Sequence, residues 1–494
     1  MQAARRAPSP LLRTVLAFVA IALVCAATGD IAITTVDTWG EFARMLRGAI
    51  TPDFTATEDL FHALALTLAF ALLGVALGAL AGFGLALLFR RRAVRGFCAV
   101  IRAVHELFWA LIFLQLFGLS PLTGLLAIAI PYAGIFGKVY AEILEEADPG
   151  PLQALPAGSG RVSAFCFVRL PDVWHQVTTF TLYRLECGIR SSAVLGFVGL
   201  PTLGYHLETA FSQGSYSEFA ALLLLFYAVI ATIRWWLRKP LLPLYLVGAA
   251  ALLPWSAGLA GGDMARFFTH DIVPYPLRSG DGWAGMPDWL GTVLVDQALP
   301  GALATLQLTM VALVATGLLT MLFFPLVSPL LLGRPACGFG HVVLVVMRST
   351  PEYILAFILL QLWGPSMLPA IVALALHNGA IIGHLVGRFT EGIALRPDAP
   401  RGIDRYAWEI VPRIYRQMLA LLFYRWEVIL RETAILGMLG IATLGFWIDS
   451  AFADLRFDRA LLLIAVTAGL NLAVDAASRA IRARLRLQTS LRAR

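Results

Sequence analysis

Charged residues are scarce in this sequence of 494 residues. Asp, Glu, Lys and Arg together make up 14% of the chain, whereas soluble proteins carry about 25%. Hydrophobic residues account for 59%, and the mean hydropathy is +0.77. A soluble core could not bury this much apolar surface. The composition therefore excludes a soluble globular protein and predicts an all-α polytopic membrane protein.

Several chemical motifs are also missing. The five cysteines are odd in number and form no Cys-x-x-Cys pair, so they predict neither a disulfide framework nor a metal site. No G-x-x-x-x-G-K-[ST] occurs, so the chain lacks a phosphate-binding loop for ATP. We therefore predict no cofactor, no metal site and no catalysis of bond chemistry by this chain.

The net charge of +7 fits two classes of protein, those that bind nucleic acid and those that span a membrane. The arginines cluster in segments that alternate along the chain between apolar runs. This pattern is typical of cytoplasmic loops in a multi-pass protein, so we predict no nucleic-acid partner.

Twelve apolar runs have about the length that a bilayer requires. The predicted spans are Leu11–Ala27, Phe61–Phe89, Phe97–Phe117, Leu122–Glu142, Leu182–Leu200, Phe219–Trp236, Leu241–Ala260, Ala302–Val327, Val342–Trp363, Leu368–Val386, Trp426–Ala442 and Ala460–Ala477. The first run resembles a signal peptide, but its counterpart at Leu241–Ala260 could not be cleaved as one, so both are predicted to be membrane helices. The arginine-rich segments place both termini, Gly158 and Gly402 inside, and Asp53 and Asp271 outside.

The chain contains an internal duplication. Tyr183–Gly204 and Tyr424–Gly445 share 11 identities in 22 positions. We predict two permease-like repeats of six helices each, at residues 1–240 and 241–494, which enter the membrane in the same orientation. The offset between the repeats is 246 residues at Glu106 and Glu352 and 241 at Pro171 and Pro412. The second copy has therefore lost five residues within a cytoplasmic loop.

The loop at about residues 147–175 contains a recognisable pattern. Gln153 and Ala154 precede Gly158. Nine residues then lie between Gly158 and the sequence Val168-Arg169-Leu170-Pro171. This resembles the E-A-A-x3-G-x9-I-x-L-P signature of permease subunits of binding-protein-dependent ABC importers, with Gln153 in place of Glu and a gap before Gly158 that is one residue short. The alternative is an ordinary basic loop. In the second loop, at about 388–416, Gly402 lies ten residues before Pro412, so the resemblance implies a weaker docking site there.

Other residues resemble the phosphonate branch of these permeases. Its members carry RSxPE, then a glycine in the following helix, then YRxExxxR. The second repeat matches at Arg348–Glu352, Gly383 and Tyr424–Arg431, and the first repeat keeps Arg102, Glu106, Gly137, Tyr183, Arg184, Glu186 and Arg190. The first repeat departs at His105, where the second has Pro351. Because family members are usually single repeats that pair, this chain resembles a fused dimer.

The resemblance implies a function and a set of partners. It implies the translocation subunit of an ABC importer in the bacterial inner membrane, taking up phosphonate or a related phosphorus oxyanion. Two ATPase subunits would dock on the cytoplasmic loops, and a periplasmic binding protein would deliver the substrate. The alternative is an ion-coupled secondary transporter of a small anion. Against that alternative, the sequence shows no evident carboxylate–His relay within the predicted spans.

Charged residues inside the spans have two interpretations. Glu186 with Arg190, and Glu427 with Arg431, are spaced i,i+4, which suits helical ion pairs. Alternatively, these arginines line a path and meet an anion. The pairs Arg102 with Glu106 and Arg348 with Glu352 leave the same two possibilities open.

Overall fold

The computed structural model describes residues 9–156, 158–255 and 261–487, without the side chains of Arg234 and residues 261–263. In this part of the chain every regular element is helical, and no strand occurs. The predicted all-α class is confirmed. The two chain termini, which are predicted to lie inside, are outside the described residues.

The helices of the first half of the chain are α1 Pro10–Thr28, α2 Thr38–Ile50, α3 Leu60–Leu87, α4 Arg92–Ala103, α5 Glu106–Phe117, α6 Pro121–Glu146, α7 Gly150–Gln153, α8 Arg161–Ala164, α9 Leu170–Val194, α10 Leu203–Ser212 and α11 Tyr216–Trp236. Those of the second half are α12 Leu242–Leu252, α13 Gly261–Arg266, α14 Tyr275–Ser279, α15 Met286–Gly291, α16 Leu299–Phe323, α17 Arg334–Ser349, α18 Glu352–Trp363, α19 Met367–Phe389, α20 Val411–Met438, α21 Leu444–Ala453 and α22 Phe457–Arg484. The π-helical segments Phe165–Arg169 and Arg405–Ile410 lead into α9 and α20.

The chain folds into two compact units. One is continuous and comprises Arg44–Val273, and we call it the continuous unit. The other combines the described residues of Met1–Ala43 and Pro274–Arg494, and we call it the split unit. These bounds differ from those of the predicted repeats, 1–240 and 241–494. The repeat bounds describe duplicated sequence and stay a prediction.

The difference arises because the first helix of each predicted repeat packs with helices of the other repeat. In the split unit α1 packs on α16, and the ring of Phe18 contacts Phe423 and Trp426 at centroid distances of 5.1 and 5.3 Å. The chain after α1 hydrogen-bonds to the same unit, since Thr34 N donates to the Trp363 carbonyl. In the continuous unit α12 packs on α3. The structure therefore places α1 in the unit with most of the second predicted repeat, and α12 in the unit with most of the first.

Close helix contact through glycine organises the core of each unit. In the continuous unit α3 lies against α6, and a Cβ on Gly74, Gly78 or Gly82 would come within 3.0 Å of a side chain of α6. In the split unit α16 packs against α19, and here the glycines lie on the second helix of the pair. Gly383 and Gly387 of α19 face α16 and the segment that follows it. Small residues at such contacts let helix backbones approach within a membrane, where packing replaces the hydrophobic effect.

Two predicted spans, Phe97–Phe117 and Val342–Trp363, are wrong as single helices. Each is a pair of helices, α4 with α5 and α17 with α18, bent by 90° and 89°. In the split unit Pro351 causes the break, because proline lacks an N–H and disfavours helical backbone in the residue before it. In the continuous unit His105 takes this place, and its Nδ1 accepts a hydrogen bond from Leu107 N at 3.1 Å. Different residues thus produce the same bend.

The turn after each long charged helix is also duplicated. The N–H of Leu203, the first residue of α10, donates to the hydroxyl of Thr67 at 2.8 Å. The N–H of Leu444, the first residue of α21, donates to Thr305 at 3.0 Å. Both threonines are buried and belong to the helix that packs behind the turn, α3 or α16. They satisfy helix N-terminal donors that would otherwise lack a partner.

Six helical segments of the described chain are long and apolar enough to cross a membrane, and eight if each bent pair counts as one span. Leucines on these segments, such as Leu80, Leu318 and Leu322, are exposed, as expected for contact with lipid. The protein is therefore a multi-pass membrane protein. The predicted number of twelve spans is not confirmed. Of the predicted span Leu241–Ala260, α12 covers residues 242–252, and 256–260 lie outside the described residues.

We predict that proline can replace His105 but alanine cannot. Val104 is already extended, and His105 has φ of −67°, so both positions suit an X–Pro pair. His105→Ala removes the side-chain cap of α5 and should cost about 0.5–2 kcal/mol of stability. His105→Pro should stay near the unsubstituted protein. Thermal unfolding of the purified protein in detergent measures this, and a proline variant less stable than the alanine variant would contradict the interpretation.

Candidate functional site

In the split unit three helices bring polar side chains together within the membrane-spanning part. Glu352 is the first residue of α18, His377 and Asn378 lie in the middle of α19, and Glu432 lies in α20. One ligand atom from each of Glu352, His377 and Glu432 lies within 4.8 Å of the other two. We call these four residues the Glu–His cluster. His377 and Asn378 are almost completely buried.

Hydrogen bonds orient the members of the Glu–His cluster. Nδ1 of His377 lies 2.9 Å from the carbonyl oxygen of Thr350, and Nε2 faces Glu352 Oε2 at 3.8 Å. Asn378 Nδ2 donates to Glu432 Oε2 at 2.9 Å and to the Leu374 carbonyl at 3.0 Å. The side chains are therefore held by the bend that follows α17 and by contacts between α19 and α20.

The continuous unit has a different arrangement at the equivalent positions. Glu106 corresponds to Glu352, but Pro131, Tyr132 and Ser191 stand where the split unit has His377, Asn378 and Glu432. The Ser191 hydroxyl donates to Glu106 Oε1 at 2.7 Å and lies 3.3 Å from the Tyr132 hydroxyl. The Arg184 guanidinium lies over the Tyr132 ring at 5.1 Å. Here the Ser191 hydroxyl and the imidazole of His105, whose Nε2 lies 4.0 Å from Glu106 Oε2, adjoin the shared glutamate.

The predicted charged residues occupy equivalent places in the two units. Arg102 and Arg348 lie in the last turns of α4 and α17, just before the bends, and Glu106 and Glu352 begin the next helices. Acidic residues suit these positions because a helix N-terminus carries partial positive charge. Their role as path residues or as ion pairs stays a prediction.

The paired residues on α9 and α20 also stay a prediction as to role. Arg190 lies on α9, and its Nη2 is 3.6 Å from the sulfur of Cys187. Glu427 and Arg431 lie at the corresponding positions of α20, both partly buried.

The loop of the continuous unit connects α6 to α9. Gln153 ends the short helix α7, Ala154 follows it, and Leu170 and Pro171 begin α9. Arg169 donates to the carbonyls of Leu144, Ala147 and Asp148, so it binds the C-terminal end of α6. The loop is thereby attached to a membrane helix at both ends.

The loop of the split unit is held by a buried carboxylate. Glu409 accepts hydrogen bonds from Arg396, at 2.8 Å for Nε, and from Arg413. Burial alone would raise the pKa of Glu409, but the hydrogen bonds and charge of Arg396, with the charge of Arg413, outweigh it and hold the pKa below its ordinary value. The Tyr406 ring also stacks on Phe324 of the unit's core at 5.4 Å.

Both loop glycines have positive φ values directly ahead of a helical segment, +102° at Gly158 and +63° at Gly402. A Cβ on either would meet nothing within 4 Å, so backbone conformation and not crowding within the chain requires glycine there. The value at Gly402 lies in the left-handed region that other residues can visit, whereas that at Gly158 lies outside it. Pro412 lies in the first turn of α20.

Both loops expose apolar side chains at matching positions. With the offset of 241 residues, Val162 corresponds to Ile403 and Phe167 to Trp408. All four are among the most exposed large hydrophobic side chains, with Phe167 at 81% and Trp408 at 73%. We call these the exposed loop pairs. An exposed apolar patch repeated at one place in both copies indicates a contact surface.

Sequence reasoning missed the exposed loop pairs and most of the Glu–His cluster. The argument against a carboxylate–His group within the spans is wrong, because packing brings His377 to Glu352 and Glu432. A signal was available, since His377 and Asn378 interrupt an apolar run and differ from the other repeat. The exposed loop pairs could have been found by aligning the two loops, but their exposure required the fold.

Comparison with known proteins agrees with the predicted resemblance. The chain is 28% identical over 458 residues, 85% of its length and 84% of the relative's, to a protein of Mycolicibacterium smegmatis named phosphate-import permease protein PhnE. It is 28% identical to the phosphite transport system permease protein PtxC of Stutzerimonas stutzeri, over 44% of this chain and 82% of PtxC. The resemblance to phosphonate-type permeases is confirmed.

Further relatives of such permeases are shorter than this chain. The putative cryptic phosphonate transport system permease protein PhnE2 of Escherichia coli is 29% identical over 22% of this chain and 88% of its own length. PtxC aligns with less than half of the chain, as expected if the chain joins two permease-like copies. These relatives are named for transport and not for catalysis, in agreement with the prediction that the chain is not an enzyme. No family model and no solved structure matches the chain.

We predict that Glu409 keeps the loop of the split unit ordered. Glu409→Gln removes the charge that holds Arg396 and Arg413, so amide hydrogen exchange should accelerate across residues 394–413. Glu391→Gln is the matched control, because Glu391 pairs loosely with Arg388 at 3.9 Å and is exposed. Mass spectrometry of the exchanged peptides measures both variants, and equal exchange in the two would contradict the prediction.

The same contact predicts a pH dependence. A carboxylate whose pKa is lowered in the folded state contributes stability above its unfolded pKa of about 4.3 and loses it as pH falls further. Protection of the loop should therefore be constant near neutral pH and decline below about pH 4.

Proposed function

We propose that this chain is the translocation subunit of an ABC importer for a phosphorus oxyanion. The observation that carries the proposal is the similarity along 85% of the chain to a permease named for phosphate import. Relatives are named for phosphite and for phosphonate transport. Phosphate, phosphite and phosphonate are all small tetrahedral phosphorus oxyanions, and we propose a substrate of this class.

Two ATPase subunits and a substrate-binding protein would complete the importer. The chain itself has no phosphate-binding loop for ATP. The exposed loop pairs support docking, since each loop presents one aliphatic and one aromatic side chain on a short helical segment. An aromatic side chain that becomes buried on binding is a common centre of a protein–protein contact. We place the loops in the cytoplasm from the arginine distribution, and the protein in the bacterial inner membrane from its resemblance to permeases of ABC importers.

The loops are well suited to transmit movement. The loop of the continuous unit is attached through Arg169 to the end of α6, and that of the split unit through Tyr406 and Arg405 to residues near the end of α16. Both π-helical segments continue directly into α9 and α20. A push on either loop would therefore move the long charged helices, and alternating access would follow from rocking of the helices against their neighbours.

The Glu–His cluster favours a second candidate function, an ion-coupled secondary transporter of a small anion. Ionisable residues within spans are common in proton relays and ion paths. The two functions differ in their source of energy. An importer of the first kind needs ATP, whereas a secondary transporter needs an ion gradient.

Reconstitution in liposomes tests the proposal. The chain is combined with the ATPase subunits that co-purify with it and with a binding protein loaded with phosphate, phosphite or phosphonate. We expect uptake of at least one of these anions with hydrolysable ATP and none with a non-hydrolysable analogue. Uptake driven by a proton or sodium gradient without ATP would replace the proposal with the second candidate.

We predict that Phe167→Asp and Trp408→Asp each weaken ATPase binding. Loss of a central aromatic contact costs about 2 kcal/mol or more. Both side chains are exposed, so the variants should insert and fold normally. Trp283→Asp is the matched control, because Trp283 is 78% exposed but lies in a segment predicted outside. If a variant that carries both substitutions still bound the ATPase, docking at these positions would be excluded.

The same variants address the shortened second loop. The sequence predicts a weaker contact there, whereas the exposed loop pairs are alike in the two loops. A larger loss of ATPase from Phe167→Asp than from Trp408→Asp would support unequal docking, and equal losses would oppose it.

A further inference from the structure

We infer that the Glu–His cluster of the split unit is a binding site for one divalent cation of the Mn²⁺, Fe²⁺ or Zn²⁺ class. The inference does not depend on the proposed function, because the ligands and their geometry are independent of what the protein transports. It rests on the orientation of His377, on an oxygen of Asn378, on the spacing of the side chains and on comparison with the continuous unit.

His377 is oriented as a metal ligand. Its Nδ1 lies 2.9 Å from the Thr350 carbonyl oxygen, which can only accept, so Nδ1 carries the hydrogen. In the neutral ring Nε2 then carries a lone pair, and this nitrogen faces the carboxylates. Metal-binding histidines almost always donate their other ring N–H to a carbonyl, carboxylate or water, which fixes the tautomer.

The second observation concerns the side-chain amide of Asn378. Its two amide hydrogens are directed to the Leu374 carbonyl and to Glu432, so the side-chain amide is held at the cluster. Its Oδ1 is fully buried and has no hydrogen-bond partner among the described residues. A buried amide oxygen without a partner costs free energy, so a group that contacts it, such as a cation or a water bound to one, would be favourable beside the cluster. The hydrogen bond to Glu432 also orients that carboxylate.

The spacing of the side chains suits a shared ion. His377 Nε2 and Glu352 Oε2 are 3.8 Å apart, which is too long for a hydrogen bond. Two ligands each about 2.1 Å from one ion are separated by roughly 3–4 Å. The three ligand atoms lie within 4.8 Å of one another, so a small inward movement of the side chains would complete the site.

The donor set selects the class of cation. It comprises two carboxylates and one imidazole nitrogen. Mg²⁺ and Ca²⁺ prefer oxygen ligands alone, whereas imidazole suits transition cations. A divalent ion would also be attracted to the two carboxylates by its opposite charge.

The continuous unit serves as an internal comparison. There Glu106 lacks a second carboxylate and an imidazole from α6, and the hydroxyls of Ser191 and Tyr132 form the neighbouring network. The same backbone thus supports a network of hydroxyls in one copy and two carboxylates with an imidazole in the other. We therefore expect one cation per chain and not two.

The first test measures metal content and affinity. The full chain without a polyhistidine tag is purified in detergent, treated with a chelator and titrated with Zn²⁺ and Mn²⁺. Elemental analysis should find one ion per chain, and the absorption-edge spectrum of the bound metal should show nitrogen and oxygen ligands with one imidazole. Absence of stoichiometric binding would overturn the inference.

Variants locate the ion. Glu432→Ser, which introduces the residue of the other copy, and His377→Gln should each weaken binding by more than about 100-fold, since even indirect partners of a ligand are worth about 10–100-fold. Glu106→Gln is the matched control and should leave the metal content unchanged. His341 and His384 form the other candidate pair, with ring nitrogens 3.1 Å apart. Binding lost in His384→Gln but kept in Glu432→Ser would overturn the assignment.

A further variant distinguishes a cation from a proton shared between the carboxylates. Asn378→Asp adds a third carboxylate to the cluster. If the site binds a cation, this variant should bind Zn²⁺ more tightly, and its thermal stability should depend on the added metal. If the carboxylates share a proton, the variant should be destabilised with or without metal. The latter result would contradict the inference even if other variants failed to fold.

Discussion

The close contact of α3 with α6, and of α16 with α19, positions the buried polar side chains and the exposed loops of this protein. It is the most extensive helix pair in each unit. Because glycines allow the backbones to approach, α6 and α19 become the buried centres around which the charged helices α9 and α20 pack. Tyr132 lies on α6, and His377 and Asn378 lie on α19. The C-terminal ends of the same two helices begin the exposed loops.

The two copies share their backbone features and differ in their buried side chains. Both have the 90° bend, the threonine-capped turn, the π-helical segment and an exposed loop pair. The bends and turns depend on backbone hydrogen bonding, which a bilayer requires to be satisfied within the chain. The membrane-embedded polar groups are under no such common constraint. Joining two copies in one chain lets one acquire Glu432 and His377 while the other keeps Ser191 and Pro131.

This separation bears on how an importer could be built from one chain. Equivalent loops would let two ATPase subunits engage similar surfaces, although Gly158 and Gly402 differ in φ and the second loop is shorter. The cluster gives the split unit a chemistry that the continuous unit lacks. The duplicated fold therefore does not imply a symmetric path, and each unit must be considered with its own residues.

Much of the architecture followed from the sequence alone. The low charge and long apolar runs determined a helical membrane protein, because an unpaired backbone is too costly in a bilayer. The duplication and the resemblance to phosphonate-type permeases followed from residues close together in the chain, such as Tyr183 with Arg190 and Tyr424 with Arg431. The spacing between residues that are close in the chain can be interpreted without knowledge of the fold.

The tertiary structure decided what depends on distant contacts. The unit to which α1 and α12 belong could not be predicted, since an apolar helix can pack in either unit without a change in its own pattern. His377 and Glu432 are separated by most of two helices and a loop, and only packing brings them within ligand distance of Glu352. The bend at His105 depended on one side-chain nitrogen, which took over the role of a proline in the other copy.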